Sequence, residues 1–414
     1  MRPLSILTAC LLALATFAGG EEDAPGILPG EGVPDRITVI DPPPGERADL
    51  PGILPGEQVP ERVFLPAQAA AEPSVDWGVV KIGAQVAWKT TKGRLVRVAV
   101  LDTGCDLTHP NLKGAIMAAR DFTGSPSGPS DVNGHGTHCA GVVGARTDGA
   151  GLLGVAPECS ILVAKVLGDS GSGSDFSISG GIDWSLAAAQ NTDVISMSLG
   201  ARTPSQTIHA AVKRADAEGV IVVAAAGNEG PGQNTVGYPG GFVECVCVAA
   251  TDSTDAVARF SSRGQQVFVA GPGVNVRSTY PGGRYATMSG TSMATPHLAG
   301  VAALWIAANP TVPKKDRPAK FKAALVAACK DLGTPGRDTA YGHGLVDCTK
   351  LIGGPPIVPP PAGGWAITEG DLTPDALGRF RARFPGATLR LEIGLPGAPG
   401  VPMIPTPPQP EGRP

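Results

Sequence analysis

Three short runs bring together a carboxylate, an imidazole and a hydroxyl that could share a proton. They are Val100-Leu101-Asp102-Thr103-Gly104, Asn133-Gly134-His135-Gly136-Thr137-His138-Cys139 and Ser289-Gly290-Thr291-Ser292-Met293-Ala294-Thr295-Pro296-His297. A serine hydroxyl is a poor nucleophile at neutral pH. It needs an imidazole to take its proton, and the imidazole needs a buried carboxylate to fix its tautomer and stabilise its charged form. Asp102, His135 and Ser292 supply that set, and the chemistry they offer is hydrolysis through an acyl intermediate. A fourth run, Gly219-Val220-Ile221-Val222-Val223-Ala224-Ala225-Ala226, ends in Gly227-Asn228-Glu229-Gly230. In acyl transfer the carbonyl oxygen becomes an oxyanion, and a preorganised donor stabilises it far better than water does. Alone, Gly-Asn after an apolar run is a turn. Beside the other three runs, Asn228 is read as that donor.

These side chains need elements to hold them, and the apolar pattern supplies candidates. Residues 96–101, 161–167, 194–199, 220–226 and 267–269 read as buried parallel strands. Ser205 caps a helix with Ile208, Ala211, Val212 and Ala215 on one face, and Gly219 stops it. Alternating strands and helices imply a parallel sheet covered on both faces, with its ligand crevice at the carboxyl ends of the strands. Asp102 and Asn228 fall at such ends. His135 and Ser292 open helices, and a helix N-terminus at Ser292 also favours an oxyanion.

In the order Asp, His, Ser, these motifs resemble those of the subtilases, the subtilisin-like serine proteases. The resemblance covers about residues 73 to 352, and the gaps from 102 to 135 and from 135 to 292 are those of a compact member. It implies a three-layer α/β domain with a central, mainly parallel sheet flanked by helices. It implies an endopeptidase acting on protein or peptide substrates, with no cofactor for catalysis. Asn228 and the Ser292 backbone N–H would hold the oxyanion. Gly171, Ser172 and Gly173 would form an exposed edge strand that pairs with the substrate backbone. Ser198, Leu199 and Gly200 would line the opposite side, although Ala201 stands where many relatives have glycine. The pocket for the residue on the acyl side of the cut would have Ser198-Leu199-Gly200 as one wall, Ala225-Ala226-Gly227 as another and Gly237 at its base. Such a pocket has no charge on its floor and suits large apolar side chains. Asn111 and Asp148 match positions that bind structural calcium in the family, with Arg146, Ala150 and Leu152 as carbonyl donors. Here Asn replaces the family's Asp at 111, and Pro73 replaces the N-terminal ligand. Cys139 stands where several subtilases carry a free thiol.

Other signals read as bland. Gly168-Asp169-Ser170-Gly171 imitates the nucleophile motif of chymotrypsin-like proteases, but their His, Asp, Ser order is absent. Asp102-Thr103-Gly104 resembles half of an aspartic-protease site, which needs a second carboxylate. His138 and His297 have nothing else of ligand type at a suitable spacing and read as structural rather than metal-binding. A silent binding protein on the same scaffold is the rival reading, against which the intact Asp102, His135, Ser292 and Asn228 argue.

The chain has 414 residues and a net charge of −4, with no basic cluster to mark a nucleic-acid partner. Residues 1–18 read as a secretory signal: Arg2, about 14 apolar residues, which is too few to span a membrane, then small residues. The product is expected to be exported, monomeric and without a membrane anchor once the signal is removed. Seven cysteines remain beyond it, and an oxidising compartment would pair most of them, Cys329 with Cys348 in particular. Residues 19–72 carry a proline-rich repeat, Pro25-Gly26-Ile27-Leu28-Pro29-Gly30-Glu31-Gly32-Val33-Pro34-Asp35-Arg36 returning as Pro51-Gly52-Ile53-Leu54-Pro55-Gly56-Glu57-Gln58-Val59-Pro60-Glu61-Arg62. It reads as a stiff spacer or as a substrate-like inhibitor, in place of the family's longer folded prodomain. Residues 73–352 form the catalytic domain, and 353–414 a proline-rich linker and short tail.

Overall fold

The computed structural model describes residues 73–147 and 151–352 and the backbone strand Ile37–Val39. The expected signal, most of the repeat region, Asp148, Ala150 and the C-terminal tail lie outside the described residues.

Strand β1 (Ile37–Val39) is followed by β2 (Pro73–Val75) and two short helices, α1 (Trp77–Lys81) and α2 (Ala84–Ala87). Then come β3 (Arg97–Asp102), β4 (Ile116–Asp121), α3 (His135–Gly144), β5 (Gly151–Leu153) and β6 (Ser160–Lys165). The middle of the chain holds β7 (Ser172–Gly173), α4 (Asp175–Leu186), β8 (Val194–Met197), β9 (Leu199–Gly200), α5 (Gln206–Ala217) and β10 (Ile221–Ala225). It ends with β11 (Val246–Thr251), β12 (Val269–Pro272), the hairpin β13 (Val276–Tyr280) and β14 (Arg284–Met288), α6 (Thr291–Ala308), α7 (Arg317–Ala328) and α8 (Cys348–Leu351).

Seven strands form one sheet in the order β12-β11-β10-β8-β3-β6-β4, and every neighbouring pair is parallel. The five apolar runs all contribute to it. β4 and β11 are additions. β4 is an edge strand of mixed exposure, with Met117 half exposed, so no continuous apolar run marks it. β11, Val-Cys-Val-Ala-Ala-Thr, is buried throughout and carries the same signal as its neighbours. From β3 the chain goes out to β4, returns to β6, then crosses to β8 on the other side of β3. This reversal puts the topological switch point, where such sheets bind ligands, at the carboxyl end of β3. Its last residue is Asp102.

Alternate residues of each strand enter different cores, as the two-residue period of a strand requires. Val98, Val100, Ile161, Val163, Val223 and Val248 pack with Cys139, Ala140, Met293 and Leu298 of α3 and α6. Ala99, Leu101, Leu162, Ala164, Val222 and Ala224 pack on the other face with Ile178, Ile182, Ile208 and Val212 of α4 and α5. α5 begins and ends as expected: Ser205 Oγ accepts from the Ile208 N–H at 3.3 Å, and Gly219 has φ +78°. α6 is buried from Thr291 to Ile306, which is why it is apolar all round and shows no polar face.

All seven cysteines from Cys105 to Cys348 are free thiols, so the Cys329–Cys348 disulfide is not formed. Lys330 pairs antiparallel with Leu345, and Cys348 lies beyond that bridge, where its N–H donates to the Ile82 carbonyl at 2.8 Å and its side chain joins the main core. Cysteine here acts as a small apolar residue. Burial pushes the Cys159 and Cys247 thiols up to about 12. Seven free thiols are no mark of an oxidising compartment. When the protein is unfolded without reductant, all seven thiols should alkylate with iodoacetamide. A peptide map containing a Cys329–Cys348 cross-link would contradict this.

Candidate active site

Asp102 ends β3 and His135 begins α3, and the fold sets them side by side. His135 Nδ1–H donates to Asp102 Oδ1 at 2.8 Å, and both side chains are almost fully buried. The Thr103 N–H donates to the same carboxylate oxygen at 2.7 Å. A side chain at 136 would collide with the Gly104 carbonyl, so glycine there lets α3 start directly against the end of β3.

Three groups given no role on sequence hold this pair in place. Asp131 caps α3: one oxygen accepts from the Gly134 N–H (2.8 Å) and Thr103 Oγ1–H (2.9 Å), the other from the N–H (2.8 Å) and hydroxyl (2.6 Å) of Thr137. Thr103 Oγ1 in turn accepts from the Gly136 N–H at 2.9 Å. Lys165, fully buried, donates to the Thr103 carbonyl (2.8 Å), the Ser130 carbonyl (2.9 Å) and Asp169 Oδ1 (2.7 Å). The available signal was a lone lysine in the apolar strand Ser160–Lys165. A charge in a two-faced buried strand needs partners.

Ser292 sits in the first turn of α6, and Pro296 follows four residues later in the same helix. Proline has no N–H, so the helical bond that residue 296 would donate to the Ser292 carbonyl is missing. That carbonyl instead accepts from Ser198 Oγ at 2.7 Å and from Cys139 Sγ at 3.6 Å. Ser292 Oγ–H donates to the Ser198 carbonyl at 3.5 Å. Cys139 Sγ also lies 3.8 Å from His135 Nδ1, so the first turns of α3 and α6 meet across one thiol. The thiol is free and buried, and burial raises its pKa. Asp102, His135 and Cys139 thus form a tight group of ligand-type atoms, in which His135 Nδ1 is already bonded to the carboxylate.

Asn228 follows β10. Its Oδ1 accepts from both the N–H and the hydroxyl of Thr291 at 3.0 Å. Its Nδ2 is buried with no hydrogen-bond partner among the described residues. The amide is therefore oriented by one end and unsatisfied at the other, and the residue that orients it, Thr291, directly precedes Ser292.

The residues expected to wall a cleft are also brought together. β7 carries Ser172 and Gly173, after Gly171, whose N–H donates to the Gly168 carbonyl at 2.8 Å. β9 carries Leu199 and Gly200, directly after Ser198. Ala225 ends β10, and Gly237 N–H donates to the neighbouring Ala226 carbonyl at 2.9 Å, while Ala201 and Tyr238 exchange both backbone bonds at 2.8 Å. Between β7 and β9 runs β1, antiparallel to both. Ile37 lies opposite Gly173, Thr38 opposite Ser172 and Gly200, and Val39 opposite Leu199.

The expected calcium donors are occupied with one another. Asn111 Nδ2 donates to the Arg146 carbonyl at 3.0 Å, and Asn111 Oδ1 accepts from the Leu152 N–H at 3.1 Å and from the Tyr285 hydroxyl. The Asn111 amide is neutral, whereas a hard dication wants six or more oxygens, several of them charged. Asp148, the one carboxylate of the expected set, lies outside the described residues. His138 and His297 are structural, as read from sequence: His138 Nε2–H donates to the Val276 carbonyl at 3.0 Å and His297 Nδ1–H to the Met293 carbonyl at 2.8 Å.

A model of the subtilase family, Peptidase S8, matches residues 93–344. An intracellular serine protease of Paenibacillus polymyxa is 47% identical over 234 residues, covering 55% of this chain and 71% of that protein. M-protease of Shouchella clausii (strain KSM-K16) is 42% identical over 276 residues, covering 66% and 69%. Subtilisin Savinase of Lederbergia lenta is 42% identical over 275 residues, covering 66% and 97%.

The two structural histidines make stability depend on acid. Burial lowers His138 to about 3 and His297 to about 4, from the ordinary 6.5. Below pH 6.5 the unfolded chain binds protons that the folded chain refuses, so stability falls as pH drops from about 6.5 toward 4. The urea midpoint, taken with a serine-protease inhibitor present to prevent autolysis, should be clearly lower at pH 5 than at pH 7.5. An unchanged midpoint would refute this assignment.

Proposed function

Because the chain belongs to the subtilase family and is a subtilisin-like serine peptidase with Asp102 and His135 as catalytic residues, we propose that Ser292 is its nucleophile and Asn228 its oxyanion donor. With Nδ1 held by Asp102, His135 exchanges protons with Ser292 through Nε2. Ser292 Oγ attacks the scissile carbonyl as His135 takes its proton. The oxygen becomes an anion, which the Asn228 amide and the Ser292 N–H at the start of α6 stabilise. His135 then protonates the leaving amine, and water reverses the steps to release the acid. No cofactor takes part.

One observation carries this reading. Leaving a buried amide N–H unsatisfied costs about 1–3 kcal/mol, yet Asn228 Nδ2 is held that way by two bonds to its own Oδ1. A donor kept at that cost beside a serine in the first turn of a helix is preorganised for a charge that appears only during reaction. Ser292→Ala should abolish hydrolysis of a tetrapeptide p-nitroanilide. Asn228→Ala should lower kcat by about 10²–10³, with KM little changed. A fall confined to KM would remove Asn228 from this role.

Gly171, Ser172 and Gly173 on one side and Ser198, Leu199 and Gly200 on the other are proposed to pair with the substrate backbone. Ala225, Gly227 and Gly237 shape the pocket for the acyl-side residue. These residues bring no charge, and Glu229, the nearest acid in sequence, is already paired with Arg202 at 3.0 Å. Burying a large apolar side chain contributes about 1.5–3 kcal/mol, and an unpaired charge would lose its hydration there. Phe, Tyr, Leu and Met should therefore lead when kcat/KM is profiled with peptides differing only at that residue. Selection of Arg, Asp or Glu would mean that the pocket is misplaced.

Export is proposed from the leader-like residues 1–18. A second reading, retention in a reducing compartment, is favoured by seven free thiols and by the intracellular relative. Immunoblotting of culture medium and cell lysate separates the two.

A further inference from the structure

The turn Gly168-Asp169-Ser170-Gly171, which only imitates a nucleophile motif, carries a carboxylate that the reaction does not use. The turn leads directly into β7, the strand proposed to pair with the substrate backbone. Main-chain bonds to such an edge give affinity for an extended peptide, provided that the edge stands in the right place. β7 has two residues and lies outside the seven-stranded sheet, so its own ladder does little to fix it. Its far end is held where Gly173 bridges Leu167 and where Ser177 Oγ–H donates to the Val166 carbonyl at 2.8 Å. Its near end is the turn, closed on itself by the Gly168 N–H donating to the Ser172 carbonyl and the Gly171 N–H to the Gly168 carbonyl, both at 2.8 Å. Asp169 fastens that turn to the rest of the domain.

Both oxygens of Asp169 are engaged. Oδ1 accepts from Lys165 Nζ at 2.7 Å and from Ser127 Oγ–H at 2.9 Å, and Oδ2 accepts from Ser125 Oγ–H at 2.8 Å. The Lys165 bond above all, with the two hydroxyls, holds this carboxyl below the usual carboxylate range. Lys165 is fully buried, and a buried ammonium persists where its three N–H groups have acceptors and its charge has a partner. Its acceptors are the Thr103 carbonyl, the Ser130 carbonyl and Asp169, of which Asp169 alone is charged. Lys165 also lies directly opposite Asp102 in the parallel ladder of β6 and β3. One ammonium therefore ties the residue after Asp102 to the turn before β7.

The register of the edges says which substrates would feel this tie. Ser172 and Gly200 both lie opposite Thr38, so β7 is level with Gly200 of β9. Gly200 is two residues past Ser198, whose hydroxyl holds the Ser292 carbonyl at 2.7 Å. A substrate antiparallel to β9 with its cut at Ser292 thus reaches β7 with residues upstream of the one next to the cut. A substrate with a single residue on the acyl side does not reach it.

We propose that Asp169, anchored by Lys165, is a positioning residue for extended peptide substrates: it sets where β7 stands relative to the triad, and so how the upstream part of the substrate is gripped. This role rests on the protease reading and the cleft assignment above. Binding energy from a remote part of the substrate is what aligns the scissile bond, so a misplaced β7 slows long substrates and leaves short ones to the triad alone.

The test compares two thiobenzyl esters on the full-length enzyme, one of a succinyl tetrapeptide ending in phenylalanine and one of acetyl-phenylalanine, and reads the ratio of their kcat/KM values. Whatever changes the fraction of enzyme with an open cleft alters both constants alike and cancels in the ratio. Asp169→Asn keeps the size of the side chain and removes the charge that pairs with Lys165, and the ratio of tetrapeptide to single-residue ester should fall about tenfold. Ser125→Ala combined with Ser127→Ala leaves the ion pair in place but frees the carboxylate on its outer side, and the ratio should fall about threefold. This second variant, altered only in a partly exposed loop, carries the test if Asp169→Asn does not fold. A ratio equal to that of the unaltered enzyme, including one that survives an equal loss on both esters, makes Asp169 merely structural and overturns the assignment. If the unaltered enzyme hydrolyses neither ester, the protease reading fails, and the role of Asp169 fails with it.

Discussion

A carboxylate and an imidazole buried together persist only where hydrogen bonds replace the water that both have lost, and the rest of the site answers that demand. Asp102 accepts from its own chain through the Thr103 N–H and from His135. Thr103 is tied to Asp131, which caps the helix that carries His135, and Lys165 fastens the carbonyls of Thr103 and Ser130. The strand end, the loop and the helix start are thus one hydrogen-bonded body. Loosening any of them would move the imidazole relative to the carboxylate.

Packing does the same for the side that carries Ser292. α6 runs through the main core with apolar contacts all round, so its position is set by the sheet and by α3. Within that rigid helix, Pro296 frees one carbonyl, and the freed carbonyl belongs to Ser292. Ser198 and Cys139 satisfy it from two other elements. A local defect in the helix therefore becomes the junction at which α3, α6 and the strand before β9 meet. The acid pair and the hydroxyl sit on different elements, yet they share this junction.

The cleft presents the opposite problem. β7 and β9 are two-residue edges, and an open edge invites pairing with any extended chain. Here β1 lies between them and pairs with both, so the two edges are covered by a segment of the chain itself.

Much of this was legible before any coordinates. Periodicity reports which residues face a core, so five strands of the sheet, the α5 cap at Ser205 and its stop at Gly219 follow from local pattern. The motifs around Asp102, His135, Asn228 and Ser292 follow from the few residue types able to do acyl transfer. β4 escaped because an edge strand carries no continuous apolar run. What local pattern could not carry were the contacts between distant segments. Lys165 and Asp131 matter because residues far apart in sequence turn to face them, and the Asn111 amide is bonded by the Arg146 carbonyl and the Leu152 N–H. Cys329 and Cys348 looked like a pair along the chain, yet both are free thiols that pack in or against the main core. The proline-rich repeat read as a stiff spacer, or else as a substrate-like inhibitor, on its sequence. Pairing in a sheet depends on which edge is left open elsewhere, and only the folded domain creates the edges of β7 and β9.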